Sequence, residues 1–208
     1  MSKGRFITLE GGEGSGKSTA LSFIETWLTS HKIDYIATRE PGGTELAEEI
    51  RALFLQEREE KVHELTELLL VFAARTQHIN EKIKPAIEQG VWVLSDRFVD
   101  SSYVYQGAAR SGDIKKIDIL ADWVLEGYLP DLTILLDVPV EIGLKRVEQR
   151  AKNDRLDRES VRFHETVRNA FLERASQHDH YKIVDASQPI LGVNHDIEMC
   201  LQYLNNKH

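Results

Sequence analysis

The sequence predicts an α/β protein built on a five-stranded parallel sheet with helices on both faces, and three observations carry the prediction. Short β-type runs alternate with longer helical patterns along all 208 residues, the order expected when a crossover helix follows each strand. Ile134-Leu135-Leu136 is a continuous apolar run, as in a strand covered on both faces. Residues Gly11 to Ser18 read Gly-Gly-Glu-Gly-Ser-Gly-Lys-Ser. That is a complete G-x-x-x-x-G-K-[ST] loop directly after the apolar run Phe6-Ile7-Thr8-Leu9 and before a helical pattern, the context this motif requires.

Taken in order, strands are predicted over Arg5–Glu10, Tyr35–Thr38, Trp92–Asp96, Leu132–Asp137 and Tyr181–Asp185. Helices are predicted over Lys17–Ser30, Thr44–Leu55, Leu65–Gln89, Lys115–Gly127, Val140–Arg150, Glu159–Ser176 and Gly192–Leu204. Pro85 lacks an N–H and should kink or divide the third helix. In the last helix Cys200 sits among Ile197, Leu201 and Leu204, which reads as a core thiol. Charge is dense only over Gln56–Glu64 and Ala151–Arg158, with no linker, repeat or low-complexity segment between elements. The expectation is a single domain over 1–208 with a short lid at about 150–158.

Hydrophobic residues make up 41% and charged residues 29%, with a formal charge of −8. That balance argues against non-specific nucleic-acid binding, which needs a basic face. One cysteine allows no intramolecular disulfide. The longest apolar stretch, Leu65 to Ala74, falls short of the ~20 residues of a membrane span. A strand begins within five residues of the N-terminus, so no signal peptide and a cytoplasmic location are expected.

In an open parallel sheet, ligands bind beyond the carboxyl ends of the strands, and the unusual polar residues gather there. The glycines of Gly11, Gly12, Glu13, Gly14, Ser15 and Gly16 let backbone N–H groups turn toward a triphosphate. Lys17 reaches the β- and γ-phosphates, and Ser18 offers a hydroxyl to Mg²⁺. This loop points to ATP or GTP. Arg39 follows the second strand and Asp96-Arg97 ends the third. Either Asp96 or Asp137 could share a magnesium ion with Ser18, while capping of the next helix is the alternative for each; Asp96 is favoured, because Arg97 adjoins it.

Arg39 and Arg97 suit a second, acceptor phosphate, since the guanidinium fork binds phosphate bidentately. Ion pairing with Glu40 or Asp96 would account for them otherwise. Phe72 and Arg75 share a helix face and could stack a base and bond its edge, or Phe72 could be core. Ser101, Ser102, Tyr103, Tyr105 and Gln106 offer hydroxyl and amide groups for reading a base. Between Lys145 and Glu159 stand six basic and four acidic residues, including Arg150, Arg155 and Arg158. The loop has no arginine at its variable positions, and phosphoryl transfer needs a cation on the moving charge. A lid arginine, Arg150 or Arg155, is therefore the expected supplier, against a plain solvated loop.

Over nearly its whole length the chain resembles the bacterial thymidylate kinases. The resemblance rests on Glu10–Ser18, Thr38-Arg-Glu-Pro-Gly-Gly-Thr44, Phe72-Ala-Ala-Arg75, Asp96-Arg-Phe98, Tyr105-Gln-Gly107, Pro130-Asp-Leu-Thr133, Leu156-Asp-Arg158 and Asp185-Ala-Ser-Gln-Pro189. It implies a three-layer P-loop nucleoside monophosphate kinase fold and transfer of the ATP γ-phosphoryl group to dTMP with Mg²⁺, in a homodimer. It implies that Glu13 faces the sugar 3′-hydroxyl and the magnesium shell, and that Arg39 and Arg97 hold the dTMP phosphate. Arg75 would bond the thymine edge, Ser102 and Tyr105 would line the nucleoside pocket, and Gln188 would lie near adenine. Many members carry the stacking phenylalanine four residues before the arginine, where this chain has Val71; the neighbouring Phe72 is assigned that role here. Phe98 stands where the family often has tyrosine.

The implied chemistry is direct in-line transfer, with Lys17, Mg²⁺ and a lid arginine neutralising the charge. A GTP-dependent switch would need N-K-x-D and D-x-x-G motifs, and neither occurs. A silent ATP-binding scaffold would not need paired acceptor arginines. Among enzymes, another nucleoside monophosphate kinase or a deoxynucleoside kinase is the alternative.

Overall fold

The computed structural model describes residues 3–56, 58–110, 112–149 and 159–206. Its elements run β1 (Phe6–Glu10), α1 (Lys17–Ser30), β2 (Tyr35–Arg39), α2 (Glu45–Leu55), α3 (Glu64–His78), α4 (Lys84–Glu88), β3 (Trp92–Asp96) and α5 (Val99–Ser102). They continue with α6 (Ile114–Leu125), β4 (Leu132–Asp137), α7 (Val140–Glu148), α8 (Val161–Gln177), β5 (Tyr181–Asp185) and α9 (Ile190–Asn205). The strands form one parallel sheet in the order β2-β3-β1-β4-β5. The crossovers that leave β1 and β3 run in opposite directions across the sheet, so a crevice opens between these two strands at their carboxyl ends.

Residues of β1 alternate between two buried faces, which is why all five are buried. Ile7 and Leu9 join Leu94, Ile134 and Leu136 against Ile24, Leu28, Ile197 and Leu201 of α1 and α9. Phe6, on the other face, packs with Val93 and Phe98 against α3, α4 and α6. Thr8 shares that second face and satisfies its hydroxyl on Thr133 at 2.8 Å. Glu10 is the next residue on it, a carboxyl group at 0% exposure. Leu135, which is in register with Glu10, packs with Val104, Val167 and Phe171, so α8 covers the same face.

Boundaries depart from the sequence expectation where caps and prolines decide them. Thr44 caps α2 by accepting the N–H of Ala47 at 3.3 Å, and Ser160 caps α8 through Phe163. Pro189 precedes α9, so that helix starts two residues before the predicted Gly192. The long helix expected over 65–89 is three pieces: α3, a π-helical turn Ile79–Ile83, and α4. Pro85 has no N–H to give residue 81 and its ring crowds that carbonyl, so the register widens just before it. A second π-helical stretch, Tyr103–Ala108, continues α5 where the sequence reading placed no helix. Cys200 is half-buried beside the core, and burial raises its thiol pKa. No helix among the described residues is long and apolar enough to cross a membrane.

Candidate active site

The loop from Gly11 to Gly16 joins β1 to α1, and Gly16 takes the helix N-cap position with φ 92°. Gly14, with φ 71°, passes so close to α7 that a Cβ there would lie 2.0 Å from the carbonyl oxygen of Gly143. Only glycine fits such a backbone approach. Lys17 bends back over the loop and donates from Nζ to the carbonyls of Gly11 at 2.9 Å and Gly12 at 3.0 Å. Burial, then the neighbouring Arg97, lowers its pKa. Arg146 of α7 ties the loop to the end of β5, donating to the carbonyls of Gly14 and Ala186.

A cavity of about 260 Å³ opens from Gly14–Ser18 toward the ends of β2 and β3. Three arginines, Arg39, Arg51 and Arg97, line it with Asp96, Ser102 and Tyr105. Arg97 has φ 68°, outside the range ordinary side chains favour. Its guanidinium donates to the Gly11 carbonyl, to Ser101 at 3.2 Å and to Glu13 at 2.6 Å, and lies 4.9 Å from the Tyr105 ring centre. The same Glu13 oxygen accepts the Tyr105 hydroxyl at 3.0 Å. Burial alone would raise the Glu13 pKa, but Arg97 and then Lys17 outweigh it and hold it at about 2. Arg39 pairs through a two-pronged contact with Glu48, at 3.2 and 2.8 Å, rather than with Glu40 or Asp96. Sequence reading missed Arg51, because one arginine in an amphipathic helix looks like a solvated residue. It donates to the Pro41 carbonyl, and burial with Arg39 and Arg97 nearby lowers its pKa.

The two aspartates of the sequence reading separate. Asp137 accepts both prongs of Arg168 at 2.7 and 2.9 Å. It is therefore neither a helix cap nor free for a metal, and Pro139 occupies the N-cap of α7. Asp96 keeps a buried Oδ1 without a hydrogen-bond partner among the described residues, in the cavity that Ser18 also lines. A carboxylate and a hydroxyl are the hard oxygen donors that Mg²⁺ takes when phosphates and waters complete its shell.

Two assignments at the base end need correction. Phe72 is 2% exposed within the core around Phe6, Ile83 and Phe98, and Val71 lines the cavity in its place. One residue is a 100° step around a helix, so the two side chains cannot share the cavity face. Arg75 lies behind the cavity wall at 1% exposure, 4.7 Å from the centre of the Phe72 ring. It donates to Glu40 at 2.7 Å, Ser102 at 3.0 Å and the Phe98 carbonyl at 3.2 Å. His78 holds the other Glu40 oxygen and meets Thr38 on its far side. Gln106 lines the cavity and donates to the buried Glu67. Gln188 is not among the cavity residues; it bonds Asp185 and Asp196 at the head of α9. Arg150, Arg155 and Arg158 lie outside the described residues.

A phosphate loop at the switch point of a parallel sheet, facing an arginine-lined compartment across one cavity, defines the class of P-loop phosphotransferases. Within that class, the chain belongs to the thymidylate kinase family, whose model, described as Thymidylate kinase, matches residues 9–197. It is 62% identical over 204 residues to a thymidylate kinase of Marinomonas sp. (strain MWYL1), covering 98% of this chain and 96% of that protein. The thymidylate kinase of Ruthia magnifica subsp. Calyptogena magnifica is 49% identical over 205 residues, 98% of this chain and all of that protein. That of Teredinibacter turnerae (strain ATCC 39867 / T7901) is 49% identical over 201 residues, 96% and 98% respectively.

Proposed function

We propose that this protein transfers the γ-phosphoryl group of ATP to dTMP, giving dTDP and ADP. Beyond family membership, the observation that carries this reading is a single cavity lined by Lys17 of the phosphate loop together with Arg39, Arg51 and Arg97. Such a cavity brings two anionic groups face to face. An oxygen of the dTMP phosphate attacks the γ-phosphorus and forms the new P–O bond as the bond to the β-phosphate oxygen breaks. The attacking oxygen is already anionic near neutral pH, so positioning and charge neutralisation do most of the work.

In this mechanism the Gly11–Gly16 amides and Lys17 hold the donor phosphates, while Arg39, Arg51 and Arg97 hold the acceptor phosphate. Glu13 and Tyr105 orient Arg97 and the sugar. Val71, Ser102 and Gln106 line the base pocket, with Arg75 fixing Ser102 from behind. Gln188 marks the adenine side. Ser18 and Asp96 would hold Mg²⁺, which when bound offsets charge on the phosphate oxygens. Arg150 or Arg155, within one domain over 1–208 whose lid spans about 150–158, completes the neutralisation.

Exposed apolar side chains on α2, α3 and α6, among them Leu53, Leu69, Ile119 and Trp123, support a homodimer. The lone cysteine fits work in the reducing cytoplasm. The testing experiment is an ADP-release assay across nucleoside monophosphates and deoxynucleosides. Strong preference for dTMP is expected. Equal or better use of AMP, GMP, CMP or thymidine would replace this reading with the alternative kinase classes.

A further inference from the structure

Glu10 ends β1 at 0% exposure and is absent from the cavity wall. A carboxyl group buried so deeply costs free energy unless donors meet its oxygens. Both oxygens are met. Oε1 accepts the backbone N–H of Phe98 at 2.8 Å, and Oε2 accepts the hydroxyl of Ser101 at 2.7 Å. Those donors both follow Arg97, Phe98 at the N-cap of α5 and Ser101 within it, and Arg97 is the residue held at φ 68°. A non-glycine residue there is strained and persists only where surrounding contacts impose it. The Ser101 proton is committed to Glu10, which leaves its oxygen to accept Arg97 Nη1 at 3.2 Å. From the other side the Arg97 N–H is bound by the Leu9 carbonyl at 2.9 Å and its carbonyl by Ser95. Asp100, the neighbouring buried carboxylate, is taken by Arg174 of α8 and does not compete for these donors.

We infer that Glu10 is a positioning residue of the acceptor-phosphate site, a staple that fixes the strained Arg97 turn and so aims its guanidinium without touching substrate. The inference rests on the reading of Arg97 as a dTMP-phosphate residue. Its signature is selectivity for the phosphate, because thymidine fills the same base pocket and offers Arg97 nothing to bind.

The test is calorimetric binding of dTMP and of thymidine to Glu10→Ala and Glu10→Gln, with the KM for ATP measured alongside. Glu10→Ala should weaken dTMP by about tenfold, the scale of one charge-assisted contact, with thymidine affinity and the ATP KM unchanged. Glu10→Gln should restore most of the loss, since its amide oxygen still accepts from Phe98 and its NH₂ can donate to Ser101. In an Arg97→Ala background, Glu10→Ala should cost no further dTMP affinity. Equal weakening of thymidine and dTMP, or a full additional loss in that background, would overturn the staple. Should Glu10→Ala not fold, Glu10→Asp, one methylene too short to span both donors, carries the test: dTMP weakened and thymidine not supports the staple, and unchanged dTMP overturns it. Wild-type protein with no dTMP turnover would instead overturn the functional reading beneath it.

Discussion

Arg97 gathers more of the site's chemistry than any other side chain, since it contacts Glu13, Ser101, Tyr105 and the loop carbonyl of Gly11. Its removal should therefore separate acceptor from donor. Arg97→Ala is expected to lower kcat/KM for dTMP by about 2–4 kcal/mol of transition-state stabilisation, with ATP binding nearly intact. Unchanged turnover at low dTMP would remove Arg97 from the acceptor site. Glu13, its partner, makes a prediction about stability. The folded pKa of about 2 lies below the ordinary 4.5, so the carboxylate stabilises the fold above pH 4.5 and loses that contribution as pH falls toward 2. The shift corresponds to roughly 3 kcal/mol, over half of it gone by pH 3. Urea unfolding of ligand-free protein should show wild type ahead of Glu13→Gln at pH 6, with the gap closing on acidification. A gap that stays constant with pH would contradict the assigned pairing.

At the scale of elements, the phosphate loop depends on α7 as much as on β1 and α1. Gly14→Ala would set a Cβ 2.0 Å from the Gly143 carbonyl oxygen at φ 71°, so loop and helix must part. The expected result is a fall in melting temperature together with a raised KM for ATP, and a variant with both unchanged would place the loop elsewhere. The proposed lid makes the riskier prediction. Changing the responsible arginine, Arg150 or Arg155, to alanine should lower the maximal rate by about 10³-fold with little change in dTMP affinity. Lysine should rescue poorly, because it lacks the planar fork. Near-normal rates in both alanine variants would leave the charge-neutralising group to be found elsewhere. What the sequence made legible at this scale was whatever repeats or punctuates. Strand periodicity, the glycine loop and the strand-terminal Asp96-Arg97 each leave a local pattern, and all five strands came within a residue of their ends. The Phe72 and Val71 exchange and the burial of Arg75 left none. Each is set by which side of a helix meets the core, and a hundred-degree rotation separates a base-facing residue from a packed one. Glu10 and Arg51 were invisible for a related reason, since their roles come from partners 88 and 91 residues away in one case and from cavity placement in the other.

For the whole molecule, the apolar surface left open on α2, α3 and α6 is the unresolved cost of the fold. Trp123 is 77% exposed and Ile119 66% on α6, with Leu69 at 48% on α3 and Leu46 and Leu53 at 49% and 45% on α2. On α2 and α6 the pairs are spaced seven and four apart, so each pair faces one way. Tryptophan left this open is uncommon on a monomer and is the residue type that anchors interfaces. A second copy covering this face by a two-fold axis would bury the same helices of both chains at once. Each copy also carries a formal charge of −8, so association must work against mutual repulsion, which salt screens. Light scattering during gel filtration should therefore give a dimer whose dissociation constant falls or holds as salt rises. Trp123→Glu adds a buried charge to each side of that interface and should yield a monomer, with the melting temperature becoming independent of protein concentration. A wild-type monomer at micromolar concentration, or a dimer indifferent to Trp123→Glu, would show that these helices are not the contact.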